Sequence, residues 1–185
     1  MKKEVYEKAR QRVLDYYEKA HIVLTEEEKN NIEIADFGLN DLERIGLNLV
    51  TFVNTKRCCA KEMVLLPGQT CPEHCHGPVP ELNYEGKEET FRCRYGTVYL
   101  YVEGAKTEKP KGHIPKGYEA AYTAEHEIVL NEGEQYTLYP GTKHWFQAGP
   151  EGAVISEFST RSLDEFDVFT DPDIKRIPEI EDQEA

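Results

Sequence analysis

The sequence is poor in several features, and each shortage removes a class of protein. No apolar run approaches the roughly 20 residues that a membrane helix needs. The N-terminal lysines lead into a charged amphipathic stretch, not a hydrophobic signal segment. Cysteine is sparse and odd in number: Cys58, Cys59, Cys71, Cys75 and Cys93 cannot all pair within one chain, and no two form C-x-x-C, so neither a disulfide scaffold nor a zinc ribbon is indicated. Positive charge is also short. With 22 Lys and Arg against 35 Asp and Glu, the net charge of -13 disfavours nucleic-acid phosphates and anionic membrane surfaces as partners. A soluble, cytoplasmic protein acting on small neutral molecules is expected.

At 185 residues the chain suits one domain with its own core. Val5, Ala9, Val13 and Tyr17 recur at helical spacing between Lys2 and Ala20. Thr25 followed by Glu28 reads as a capping box that opens a short second helix. Asn40 before Asp41-Leu42-Glu43-Arg44-Ile45 predicts a third, stopped by Gly46. From Leu47 the period changes to two, and short runs follow one another between Pro67-Gly68, Gly86, Gly96, Gly104, Gly133, Pro140-Gly141 and Gly149-Pro150. Many short strands with frequent turns indicate a sandwich or barrel. The organisation expected is a helical extension over 1–46, a β-barrel over 47–170, and an acidic tail over 171–185 that is frayed or lies on a partner subunit.

The stretch from Gly68 to Gly96, GQTCPEHCHGPVPELNYEGKEETFRCRYG, holds the densest chemistry. His74 and His76 stand two apart, so on a strand both rings share a face while Cys75 takes the other. Glu89 opens a run that ends at Gly96, with Glu85 and Glu88 as competing carboxylates, and Tyr139-Pro140-Gly141-Thr142-Lys143-His144 delivers another histidine to the start of an apolar strand. Three imidazoles and one carboxylate suit a divalent ion such as Mn, Fe, Co, Ni or Zn. A single strand histidine is more often packed or solvated than a ligand, and H-x-H alone is weak evidence. Its placement with five residues between Gly68 and His74, together with six residues between Glu89 and Gly96, resembles the first motif of the cupin superfamily, with a longer gap between His76 and Glu89. Pro140 to His144 resembles the second motif, one residue shorter than the common form. The resemblance implies an all-β cupin (jelly-roll) barrel with the helices packed outside, and a metal held by His74, His76, Glu89 and His144.

Within the cupins, residues 57–171 resemble the D-lyxose isomerases: the loop GPVPELNYEGKEE, the segment PGTKHWFQAG and the strand Glu157-Phe158-Ser159-Thr160 carry the likeness. It departs at Phe158, where a small aliphatic is usual, and at Arg161 to Asp164, where an Asn-Asp pair is expected. The resemblance implies a manganese-dependent aldose-ketose isomerase acting on D-lyxose, and on D-mannose as well. Proton transfer between C2 and C1 of an open-chain sugar needs a base and an acid beside the metal. Glu81, just after H-x-H, and Glu157, among Val154, Ile155 and Phe158, are the candidates; burial among apolar side chains would raise a carboxyl's pKa towards that task. The plainer readings are a solvated loop glutamate and an outward-facing strand residue. Tyr84, Tyr99, Tyr101, Trp145 and Phe146 offer aromatic walls for a sugar or simply a core. The two extensions and the aromatic content lead to a homodimer as the expected assembly. Rival readings are a cupin phosphoglucose isomerase, a cupin dioxygenase and a sugar-binding cupin without catalysis.

Overall fold

The computed structural model describes residues 1–180. The N-terminal spacing forms helix α1 (Lys3–Lys19), which buries Ala9, Val13, Tyr16 and Tyr17 along one face. Thr25 caps helix α2 (Glu26–Asn30) with both halves of the capping box present. The third helix expected after Asn40 does not form. The segment is one turn, with Ile45 N donating to Asp41 O, because Ile45 is drawn into a bridge with Thr70 and Gly46 N donates to Thr70 O. Both backbone groups of Thr70, its carbonyl accepting from Gly46 N and its N–H donating to Arg44 O, thus outcompete a five-residue helix that could not nucleate on its own. None of the described helices is long and apolar enough to cross a membrane.

Nine described strands form one curled, antiparallel system: β1 (Glu33–Ala35), β2 (Leu47–Asn54), β3 (Cys59–Leu65), β4 (Thr70–Cys75), β5 (Glu89–Val102), β6 (His126–Asn131), β7 (Gln135–Leu138), β8 (His144–Ser159) and β9 (Val168–Phe169). The sheet therefore begins at β1, ahead of Leu47. The long strands β5 and β8 pair along their length, from Glu89 opposite Ser159 to Val102 opposite His144. Each also serves two further neighbours: β8 pairs β4 through its first turn of residues and β3 through its last, while β5 pairs β7 and then β6. That sharing is what closes two layers into a jelly-roll barrel.

Period-two alternation fills the interior from Leu49, Met63, Leu65, Phe91, Phe146 and Ile155. The opposite faces of β2, β3 and β8 present Val50, Val64 and Val154 to α1, and this covering explains why these strands read as nearly continuous apolar runs. The tail is neither frayed nor free over its described part. Lys175 N donates to Phe37 O, and Arg176 ion-pairs with Glu33 and Asp164, so residues 171–180 lie back on their own barrel; 181–185 fall outside the described residues.

Candidate active site

Three histidines converge inside the barrel. His74 lies on β4 directly opposite His144, the first residue of β8, and His76 follows β4 on the same face as His74. Gly141 N donates to His76 O, which holds the Pro140-Gly141 turn, and so the start of β8, against that end of β4. All three rings are buried, and their ligand nitrogens lie within 4.8 Å of one another. The Nδ1 of His74 is 2.7 Å from Pro72 O and that of His144 is 2.9 Å from Thr142 O. A carbonyl only accepts, so both Nδ1 atoms carry the proton and both Nε2 atoms turn a lone pair to the cluster. His76 Nδ1 pairs instead with Asp167 Oδ1.

Glu89 completes the set. It is 1% exposed, and its Oε1 stands 3.2 Å from Nε2 of both His76 and His144. Glu85 and Glu88 remain on the surface. The Nε2 atoms of His76 and His144 and Oε1 of Glu89 are buried without a hydrogen bond. Buried polar atoms left in that condition are costly, and here they share one spot, so the donor set fits a divalent ion. The charge balance agrees. Burial and Lys87 oppose a proton on His76, but Glu89 and Asp167 outweigh them and lift its pKa to about 9; an ion would take that proton's place. Burial works against charge on Glu89 as well, yet Lys87 and His76 hold it well below the usual carboxylate range. His74 is held well below the ordinary histidine range by burial, with His144 and His76 adding to the effect.

Glu157 points into the same cavity from β8, between Lys61 of β3 and Phe91 of β5, and is 3% exposed. Its strand neighbours take the other face: Phe158 is exposed, and Ser156 donates to Glu62. Its surroundings differ from the apolar ones expected, since Lys87 Nζ lies 3.2 Å and Ser159 Oγ 3.0 Å from its Oε1. Glu81 is not brought to the cluster. It sits exposed in a 3-10 turn (Pro80–Leu82) and lines no part of the histidine cavity. The aromatic walls are Phe37, Phe91, Phe146 and Phe169; Trp145 stacks on Tyr101 elsewhere, at a centroid distance of 3.8 Å.

Five charged residues that sequence reasoning left out of the site also face the cavity: Lys61, Lys87, Asp164, Asp167 and Arg176. Lys87 had a legible signal, since it stands two residues before Glu89 and an extended chain puts both on one face. Asp167 and Arg176 had none, because their approach depends on how the chain returns after β8.

The model of the D-lyxose isomerase family matches residues 16–185. A D-lyxose/D-mannose isomerase of Thermosediminibacter oceani is 63% identical over 98% of this chain and 99% of its own length. A D-lyxose ketol-isomerase of Cohnella laeviribosi is 57% identical over 95% and 96%. Among solved structures, the L-ribose isomerase of an Acinetobacter species in complex with L-ribose superposes with a TM-score of 0.78 at 16% identity, covering 94% of each chain, which establishes the shared cupin fold. With a cupin barrel, a convergent histidine cluster and relatives matched over nearly its whole length, the chain belongs to the D-lyxose isomerase family of sugar isomerases.

Proposed function

We propose that the chain interconverts D-lyxose with D-xylulose, and D-mannose with D-fructose, by proton transfer at a centre where His74, His76, Glu89 and His144 hold one divalent ion, manganese before cobalt, nickel, iron or zinc. The observation that carries this reading is the meeting of three unsatisfied ligand atoms, Nε2 of His76, Nε2 of His144 and Oε1 of Glu89, in a buried cavity that Glu157 also lines. A bound ion supplies Lewis-acid polarisation of the sugar's carbonyl and adjoining hydroxyl.

The chain's own part is proton transfer and positioning. Glu157 takes the proton from C2 and returns it to C1, with its Oε1 steadied by Lys87 and Ser159. Glu81 is the second carboxyl of the reading. Because it stands outside the cavity, its part as the acid requires the 77–86 loop to swing inward with the sugar. The reading takes the active species as a homodimer, which light scattering at micromolar concentration tests.

Metal content together with an aldose panel decides the function. Manganese-loaded protein should turn over D-lyxose and D-mannose, and the product formed in heavy water should carry deuterium at C1. Glu157→Gln should lose about 10²- to 10⁴-fold in kcat while keeping its metal; Glu81→Gln should do the same if its loop closes. Sugar binding without interconversion would favour the non-catalytic cupin. Turnover without deuterium at C1 and unaffected by Glu157→Gln would point to a hydride shift instead.

A further inference from the structure

Lys87 belongs to a polar loop in the sequence, yet its side chain is 4% exposed and ends between carboxylates carried by two neighbouring strands. Its Nζ lies 2.7 Å from Glu89 Oε2 and 3.2 Å from Glu157 Oε1. The two oxygens of Glu89 therefore face different neighbours: Oε1 is 3.2 Å from both histidine Nε2 atoms, and Oε2 is turned to the ammonium. Glu157 is divided in the same way, since Lys87 and Ser159 both approach its Oε1. A single side chain thus sets which oxygen of each carboxylate is left for chemistry.

We propose that Lys87 is a positioning residue: it restricts Glu89 to ligation through Oε1 alone and leaves Oε2 of Glu157 as the atom that exchanges a proton with the sugar. This deepens the isomerase reading above and rests on it. A carboxylate beside a divalent ion has both oxygens at hand, and groups outside the ligand shell decide its orientation. If Oε2 of Glu89 also closed on the ion, it would occupy a coordination position that the two oxygens of the sugar need. An ammonium suits the post because it is compact and its three donors can serve two acceptors at once. Among the described residues, the other cations that line the cavity are committed elsewhere: Lys61 is engaged by Asp164, and Arg176 by Asp164 and Glu33. Lys87 stands only two residues before Glu89, the first residue of β5, so the contact between them is local in the chain.

The test uses Lys87→Met and Lys87→Gln in the full chain loaded with cobalt(II), whose visible absorption weakens as coordination number rises. Both variants should still take one cobalt per chain through the histidines, with weaker bands than the wild type. Their kcat on D-lyxose should fall about 10²-fold with KM changed less than about threefold, the pattern of lost alignment with intact sugar binding. Folded variants with the wild-type spectrum and near wild-type kcat would overturn the proposal. If Lys87→Met does not fold, Lys87→Met/Glu157→Gln removes both charges of that pair and is compared with Glu157→Gln alone; identical cobalt spectra would overturn it equally. A wild-type protein that takes up no metal and isomerises no sugar would instead bring down the isomerase reading, an outcome distinct from a failure of Lys87.

Discussion

Asp167 accepts the Nδ1–H of His76, and by that contact the chain returning after β8 takes hold of a candidate ligand on β4. The carboxylate fixes the ring's tautomer and makes Nε2 a better donor, as carboxylates behind metal-bound histidines do. Asp167→Asn should keep the fold and weaken metal affinity about 10- to 100-fold, read by competition with a chromogenic chelator. An unchanged affinity would show that the histidine needs no such support.

Asp164 makes the protein sensitive to acid. Burial opposes its charge, but Lys61 Nζ at 2.8 Å from both oxygens and Arg176 at 2.9 Å prevail and hold its carboxyl far below the ordinary aspartate range. A carboxyl depressed by folding contributes stability that is complete above its unfolded pKa of about 3.9 and drains away as pH falls towards the folded value. The contribution is on the order of 2–3 kcal/mol at neutral pH. In metal-free protein, the stability gap between wild type and Asp164→Asn should therefore be largest above about pH 5 and narrow steadily below about pH 4. Denaturant unfolding across that range checks it, and a gap independent of pH would contradict it.

How much of this could be read beforehand divides along a physical line. The parity of His74 and His76, the spacing of Glu89 to Gly96 and the capping box at Thr25 are local, set by residues a few positions apart, and each has its counterpart in the structure. The direction of Glu157 was open, because it depends on the register of β8 against β3 and β5. The third helix failed for the same reason, since Thr70, a residue of a distant strand, claims Ile45 and Gly46. Asp167 and Arg176 enter the cavity through a long return of the chain that no local pattern encodes, and the tail they anchor lies on its own barrel for as far as it is described.

Gly96 marks where β5 leaves one layer for the other. Its φ is +73°, and a Cβ built there would lie 2.1 Å from Gly152 O, so the two backbones meet with no room for a side chain. Gly96→Ala carries both left-handed strain and an overlap that must push β5 off β8. It should cost roughly 3 kcal/mol or more and lower Tm by about 6–12 °C. Calorimetry decides the matter, and a shift under about 2 °C would mean the crossing is looser than its geometry.

The basic residues of the cavity should discriminate between free and phosphorylated sugars. A phosphate needs a cation or several donors that are not already committed. Lys61 is held by Asp164, Arg176 by Glu33 and Asp164, and Lys87 by Glu89 and Glu157, all of them at most one-tenth exposed. A phosphate entering here would have to break a buried ion pair and leave a carboxylate beside it, a loss of several kcal/mol for each pair broken. The aromatic lining from Phe37, Phe91, Phe146 and Phe169 offers it nothing in return. D-Mannose should therefore be isomerised with a kcat/KM at least about 10²-fold above that of D-mannose 6-phosphate, since even 3 kcal/mol exceeds that factor. Equal or better turnover of the phosphorylated sugar, measured side by side with the same metal, would restore the phosphoglucose isomerase reading and show that one of these cations is released from its carboxylate when substrate binds.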